Sequence, residues 1–146
     1  MRIRVIVAGK PALDHAKRGV EDYLKRLRRY GNFELIHIKA GDSDGVSAAL
    51  LARSEGHFRI AMDERGEALT TQNWAEQFTQ LEQRGDIKNV TFLIGASDGH
   101  NEELRQACDR VWQLSSLTLQ HEIALVVLLE QLYRVATLRK GEPYHR

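Results

Sequence analysis

The sequence predicts one α/β domain, a mostly parallel β-sheet with helices packed on both faces. Three observations carry this expectation. Short apolar segments alternate with longer segments of helical spacing along the chain. The run Val90, Thr91, Phe92, Leu93, Ile94 is short and nearly all apolar, the mark of a strand covered on both sides. The 146 residues contain no repeat, low-complexity stretch or Pro/Gly-rich linker, and this length supports one real core, not two.

At the start, Ile3, Val5 and Val7 alternate with Arg2, Arg4 and Ile6 up to Ala8-Gly9, which predicts a strand. Over residues 11–29, Leu13, Ala16, Val20, Tyr23, Leu24 and Leu27 recur at helical spacing, and Gly31 stops the helix. Residues 33–38 read as a second strand and residues 41–45 as a polar loop. A short helix follows over residues 46–54, closed by Gly56. Residues 57–62 form a third strand, after which Asp63-Glu64-Arg65-Gly66 turns the chain. Thr71 is placed to cap a helix that carries Trp74, Phe78 and Leu81 on one face and ends near Gly85. Beyond the strand at 90–94 come the loop Gly95-Ala96-Ser97-Asp98-Gly99, a helix over 102–109, a short strand over 111–114 and a final helix over 121–138.

Composition excludes several classes. Cys108 is the only cysteine, so no internal disulfide forms and a Cys-based metal site is not expected; a lone thiol fits a reducing cytosol and reads as a small buried residue on a helix. His15, His37, His57, His100, His121 and His145 are scattered without ligand spacing, so no metal is expected. The longest apolar run, 123–129, is bounded by Glu122 and Glu130 and falls far short of the roughly 20 residues of a membrane span. The opening segment reads as a charged strand and not as a signal peptide, and the expected location is cytoplasmic.

The net charge of +1 does not by itself mark a nucleic-acid binder. Its distribution is uneven. Arg2, Arg4, Lys10, Lys17, Arg18, Lys25, Arg26, Arg28 and Arg29 crowd the N-terminal end, and Arg134, Arg139, Lys140 and Arg146 the C-terminal end. These basic ends form a phosphate-facing surface if the fold brings them together, and a solvated helix face if it does not.

The turn after the first strand, Ala8-Gly9-Lys10-Pro11-Ala12, has one glycine. It lacks the glycine triplet of a dinucleotide site, and no P-loop pattern occurs, which weakens any kinase or simple dehydrogenase reading. Parallel sheets bind ligands beyond the carboxyl ends of their strands, which directs attention to the loops after Met62, Ile94 and Leu114. In the second of these, glycine lets the backbone approach a ligand and Asp98 offers an acceptor for sugar hydroxyls. The third, Leu114-Ser115-Ser116-Leu117-Thr118-Leu119, suits an apolar pocket wall whose main chain reads a purine edge, and equally a loop that caps the next helix.

The final helix is apolar nearly all round, which predicts burial against a second copy across a two-fold axis. The chain ends Gly141-Glu142-Pro143-Tyr144-His145-Arg146, which places an aromatic ring, an imidazole and a guanidinium together. That set suits stacking on a base and gripping a phosphate, although most tails fray.

Taken together, Leu93-Ile94-Gly95, Leu114-Ser115-Ser116-Leu117-Thr118-Leu119, Glu130-Gln131-Leu132-Tyr133-Arg134 and Pro143-Tyr144-His145-Arg146 resemble the RlmH family, the SPOUT-class pseudouridine N3-methyltransferases of large-subunit (23S) ribosomal RNA. The resemblance covers the whole chain and is densest from Leu93 onward. It implies a trefoil-knotted α/β fold with the knot in the C-terminal half, a homodimer, S-adenosyl-L-methionine as cofactor and the assembled ribosome as substrate. By position it implies that Met62, Gly95, Leu114, Ser115, Ser116, Leu117, Thr118 and Leu119 hold the cofactor. It places Tyr144, His145 and Arg146 near the target nucleotide, in the partner's half of the site.

Four positions depart from the family pattern. The usual Gly-Gly-x-Glu-Gly loop is Gly95-Ala96-Ser97-Asp98-Gly99, a proline is replaced by Gln120, and an arginine by Leu125. Methyl transfer of this kind needs an in-line approach and exclusion of water, so positioning supplies most of the rate and no indispensable general base is expected. His121 and His145 are the candidates should one exist. A different RNA target, or a non-catalytic RNA-binding dimer, are the alternative readings.

Overall fold

The computed structural model describes residues 1–145. In chain order the elements are β1 (Arg2–Ala8), α1 (Asp14–Leu27) with a 3₁₀ turn (Arg28–Tyr30), β2 (Phe33–Ile38), α2 (Ser43–Arg53), β3 (Phe58–Glu67), α3 (Thr71–Arg84), β4 (Asn89–Ile94), α4 (Glu102–Ala107), β5 (Arg110–Trp112) and α5 (His121–Arg139). The five strands form one sheet in the order β2-β1-β4-β3-β5, and every pairing is parallel.

The period-2 alternation of strand side chains divides the core into two layers. Val5, Val7, Phe58, Ile60, Val90, Phe92 and Ile94 project to one face and pack with Val20, Trp74, Phe78, Leu125, Leu128, Leu129 and Leu132 from α1, α3 and α5. Ile6, Ala8, Ala61 and Leu93 project to the other, where Val46 and Leu50 of α2 and Leu104 of α4 cover them. Helices on both faces are what the sequence predicted. Trp112 closes the larger core: its ring lies 5.0 Å from that of Trp74 and 6.0 Å from that of Phe92. Burying a large apolar side chain of this kind stabilises the fold by about 1.5–3 kcal/mol.

The sheet departs from expectation at its edge. Residues 63–66 read as a plain turn, but both Met62 and Glu67 stand in register with Trp112. The chain leaves the ladder after Met62 and rejoins it, where Gln113 N–H donates to the Glu67 carbonyl. The strand expected at 111–114 is Arg110–Trp112.

Helix starts also moved. α1 begins at Asp14 rather than near residue 11, and Leu13 supplies no side-chain cap. That end is capped from a distance: buried Glu122, in the first turn of α5, accepts from the amides of Ala12 and Leu13. α2 begins at Ser43, inside the expected loop, because Asp42 caps it through the Gly45 amide. α3 is capped by Thr70, one residue before the expected Thr71, in a reciprocal box with Asn73. Thr71 instead donates its hydroxyl to Gln131 Oε1 at 2.7 Å.

α5 spans the range the sequence predicted to within a residue, and a single chain hides more of it than composition suggested. Leu125, Leu128, Leu129, Leu132 and Val135 all enter the larger core. α1 lies close enough that a Cβ on Gly19 would stand 3.1 Å from Val126 Cγ1. Ile123, Val126, Val127 and Tyr133 remain half-buried. The α1–α5 contact also brings the two basic ends together: the Tyr30 hydroxyl donates to Glu142 at 2.6 Å, and the Arg26 guanidinium sits 5.4 Å from the Tyr133 ring. Among the described residues, no helix is long and apolar enough to cross a membrane.

Candidate active site at the strand exits

The ends of β3, β4 and β5 open into one cleft of about 360 Å³. That is within the range of roughly 300–1,000 Å³ usual for small-molecule sites. The sequence argument chose these three loops, and the fold brings them together. Met62, Gly95, Leu114, Ser115, Leu117, Thr118 and Leu119 all line the cleft. Ser116 does not; it is exposed to solvent.

Each loop is held by local chemistry. In the second, the Gly99 amide donates to the Ala96 carbonyl, and Gly99 adopts φ +85°, a conformation that glycine permits. The Ser43 hydroxyl donates to the Gly99 carbonyl, which pins this loop to α2. Asn101 caps α4 through the Leu104 amide and donates to Asp44. In the third loop, Ser115 Oγ accepts from the Leu117 amide at 2.9 Å, a tight turn that turns Leu117 outward. Leu117 is 73% exposed, an apolar side chain left at the mouth of the cleft.

Gln120, where the resembling family has proline, caps α5 by accepting from the amides of Glu122 and Ile123. Leu125, where the family has arginine, is 1% exposed and belongs to the core.

Sequence reasoning missed part of the cleft lining. Asp63 contributes a carboxylate whose side chain is only 4% exposed, held by the Arg65 amide at 2.9 Å and faced by the guanidiniums of Arg65 and Arg105. His100 lies directly under Gly95. Its ring bonds to the Leu93 carbonyl at 3.0 Å through Nε2, so Nε2 carries the proton. Burial pushes the imidazole pKa below its ordinary value, against the pull of the Leu93 carbonyl and the Asp63 carboxylate. A histidine one residue past a loop glycine carries no recognisable sequence signal, so its burial was not legible. His121, the candidate base, does line the cleft. Cys108 is half-buried and burial raises its thiol pKa to about 11, which makes it a poor nucleophile.

The tail stands apart from the cleft. The Tyr144 hydroxyl donates to Glu130 at 3.2 Å, the Arg134 guanidinium lies 4.7 Å from the Tyr144 ring, and Arg134 Nη1 approaches His145 Nδ1 at 3.3 Å. Burial first, with Tyr23 and Glu130 adding to it, pushes the Tyr144 phenol pKa up. Along α5, Glu130 and Arg134 lie about 14 and 20 Å beyond His121 at 1.5 Å per residue. Tyr144 and His145 therefore do not meet the cleft of their own chain. Arg146 lies outside the described residues.

Residues 1–145 match the family described as "Predicted SPOUT methyltransferase". The chain is 45% identical over 146 residues to the ribosomal RNA large subunit methyltransferase H of Thermus thermophilus, with 100% of this chain and 99% of that protein covered. The protein of the same name from Deinococcus radiodurans is 37% identical over 146 residues, again covering 100% and 99%. A crystal structure of a methylase family protein from Neisseria gonorrhoeae superposes with a TM-score of 0.57 at 14% identity, covering 97% of this chain and 84% of that one. That last likeness is one of fold. A full-length sequence match and an all-parallel sheet with its cleft at three strand exits lead to one conclusion: the chain belongs to the SPOUT methyltransferase family, with its α/β knot fold, in the group of ribosomal RNA large subunit methyltransferases H.

Proposed function

We propose that the protein transfers a methyl group from S-adenosyl-L-methionine to N3 of a pseudouridine in 23S ribosomal RNA, acting on the assembled ribosome as a cytoplasmic homodimer. The observation that carries this reading is the cleft shared by the exits of β3, β4 and β5, which gathers seven of the eight residues expected to hold the cofactor. The residues present fit such a group. The walls combine apolar side chains (Met62, Leu114, Leu119) with acceptors (Asp98, His100), and Leu117 stands exposed where a ligand would cover it. When bound, S-adenosylmethionine supplies an already activated methyl group. The protein's own share is then to orient it, exclude water and fix the target base.

Dimerisation completes the site. Tyr144 and His145 pack beside Glu130 and Arg134, too far along α5 to reach their own cleft, and a second copy packed on the half-buried Ile123 and Val127 would bring a second tail to it. Arg26 and Arg134, already stacked on Tyr133 and Tyr144, and the exposed Lys25, Arg28 and Arg29 supply the cationic and aromatic groups that RNA recognition uses.

The test is to incubate the purified protein with methyl-labelled S-adenosylmethionine and ribosomes lacking base methylation, then to map the label. Label on a pseudouridine of 23S RNA is the expected result. Label on tRNA alone would replace the target, and cofactor binding without any transfer would replace the enzyme by a non-catalytic RNA-binding dimer.

A further inference from the structure

Resting on the cofactor reading above, we propose that His100 is a ligand-positioning residue whose Nδ1 accepts a hydrogen bond from an N–H or O–H donor of the bound cofactor. His100 is 3% exposed, and its Nδ1 is a buried polar atom with no hydrogen-bond partner. The other ring nitrogen is committed, since Nε2 donates to the Leu93 carbonyl at 3.0 Å. A neutral imidazole that donates through Nε2 has a lone pair on Nδ1, and leaving such an acceptor buried and unmet is unfavourable. The ring lines the cleft, so a ligand there can meet the lone pair.

Gly95 leaves the space beside that nitrogen free of any side chain. A Cβ at position 95 would stand 2.9 Å from His100 Nδ1 and 3.1 Å from Cε1, closer than real contacts allow. Glycine at this strand exit keeps a side chain from sealing off a nitrogen that the fold already buries. The polar groups around the ring are otherwise engaged: Arg105 Nη1 donates to the His100 carbonyl at 2.5 Å, and Asp63 accepts from the Arg65 amide. The Met62 carbonyl also faces the ring, but a carbonyl only accepts, so the donor assigned to Nδ1 belongs to the ligand in the cleft.

Asn and Gln separate this role from a structural one. The Asn side chain can place an acceptor near the position of Nδ1, and Gln a donor near that of Nε2. Calorimetric titration with S-adenosylhomocysteine should show about tenfold weaker binding for His100→Leu and for His100→Gln, with substantial recovery in His100→Asn. The same loss with 5′-methylthioadenosine assigns the donor to the nucleoside, and a loss confined to S-adenosylhomocysteine assigns it to the amino-acid portion. Unchanged affinity in a folded His100→Leu protein, or recovery by Gln and not Asn, overturns the proposal and leaves His100 a strand anchor. Wild-type protein that binds neither compound overturns the cofactor reading itself, which is a different failure.

Discussion

Gly66→Ala is expected to destabilise the protein by roughly 3 kcal/mol, lowering its melting temperature by about 10 °C. A Cβ at this position would stand 2.6 Å from the backbone nitrogen of Trp112 and from the carbonyl carbon and oxygen of Val111. All three are backbone atoms of β5, so no side chain can rotate away, and the sheet edge itself must shift. The displacement falls where the segment after Met62 returns to pair with Trp112, between two of the strand exits that form the cleft. Cofactor affinity should therefore fall with stability. Gly41→Ala is the control: its Cβ would meet only Val46 Cγ2 at 3.8 Å, an ordinary contact, and its melting point should stay near wild type. Thermal unfolding of the two variants decides the matter, and equal melting temperatures would remove the steric account of the β3–β5 edge.

Glu122→Gln is the second large effect, and it depends on pH. The Glu122 carboxylate accepts from the amides of Leu13 and Ala12 at the otherwise uncapped start of α1 and is bridged by Gln120 Nε2 at 3.2 Å. The Leu13 amide first, then the Ala12 amide and Gln120, hold its pKa below the ordinary glutamate value. A carboxylate depressed in the folded state stabilises it fully above the unfolded pKa, about 4.3, and loses that contribution as pH falls through the folded value. Glu122→Gln should thus melt well below wild type at pH 7, with the gap closing under acid conditions. The loss at pH 7 should exceed that of Asp22→Asn, whose pairing with Arg26 is exposed and screened. A gap independent of pH would show that the side chain acts by shape and not by charge.

These two positions also mark the limit of what the sequence revealed. The alternation of Ile3, Val5 and Val7 and the unbroken run 90–94 encode local burial, and the structure places both as strands inside the sheet. The helical spacing of Trp74, Phe78 and Leu81 encodes a core face, which α3 supplies. What failed was non-local. Asp63-Glu64-Arg65-Gly66 has the polarity of a turn, and nothing within it reports that Glu67 pairs with a strand more than forty residues later. Glu122 looks like an ordinary acid in the first turn of a helix, while its partners lie at the other end of the chain.

The cleft where the strand-exit loops meet followed the same rule. Gly95 and the 114–119 loop were legible because strand exits in parallel sheets bind ligands and because the family resemblance was densest there. His100 and Asp63 were not, because burial under a neighbouring loop is decided by tertiary packing. The apolar α5 led to the expectation of a second copy; the structure shows that α1, α3 and the sheet take up much of that surface, leaving a half-buried strip.

The central claim, that the cleft at the β3, β4 and β5 exits holds the methyl donor, is tested most directly by titrating ¹⁵N-labelled protein with S-adenosylhomocysteine and following the backbone amides. The largest shifts should fall in residues 62–65, 95–100 and 114–121, with the 140–145 tail responding only when a second copy brings it to the cleft. Shifts centred instead on a second cavity, between Tyr30, Phe33, Leu132 and Arg139, or no shift at saturating ligand, would contradict the claim.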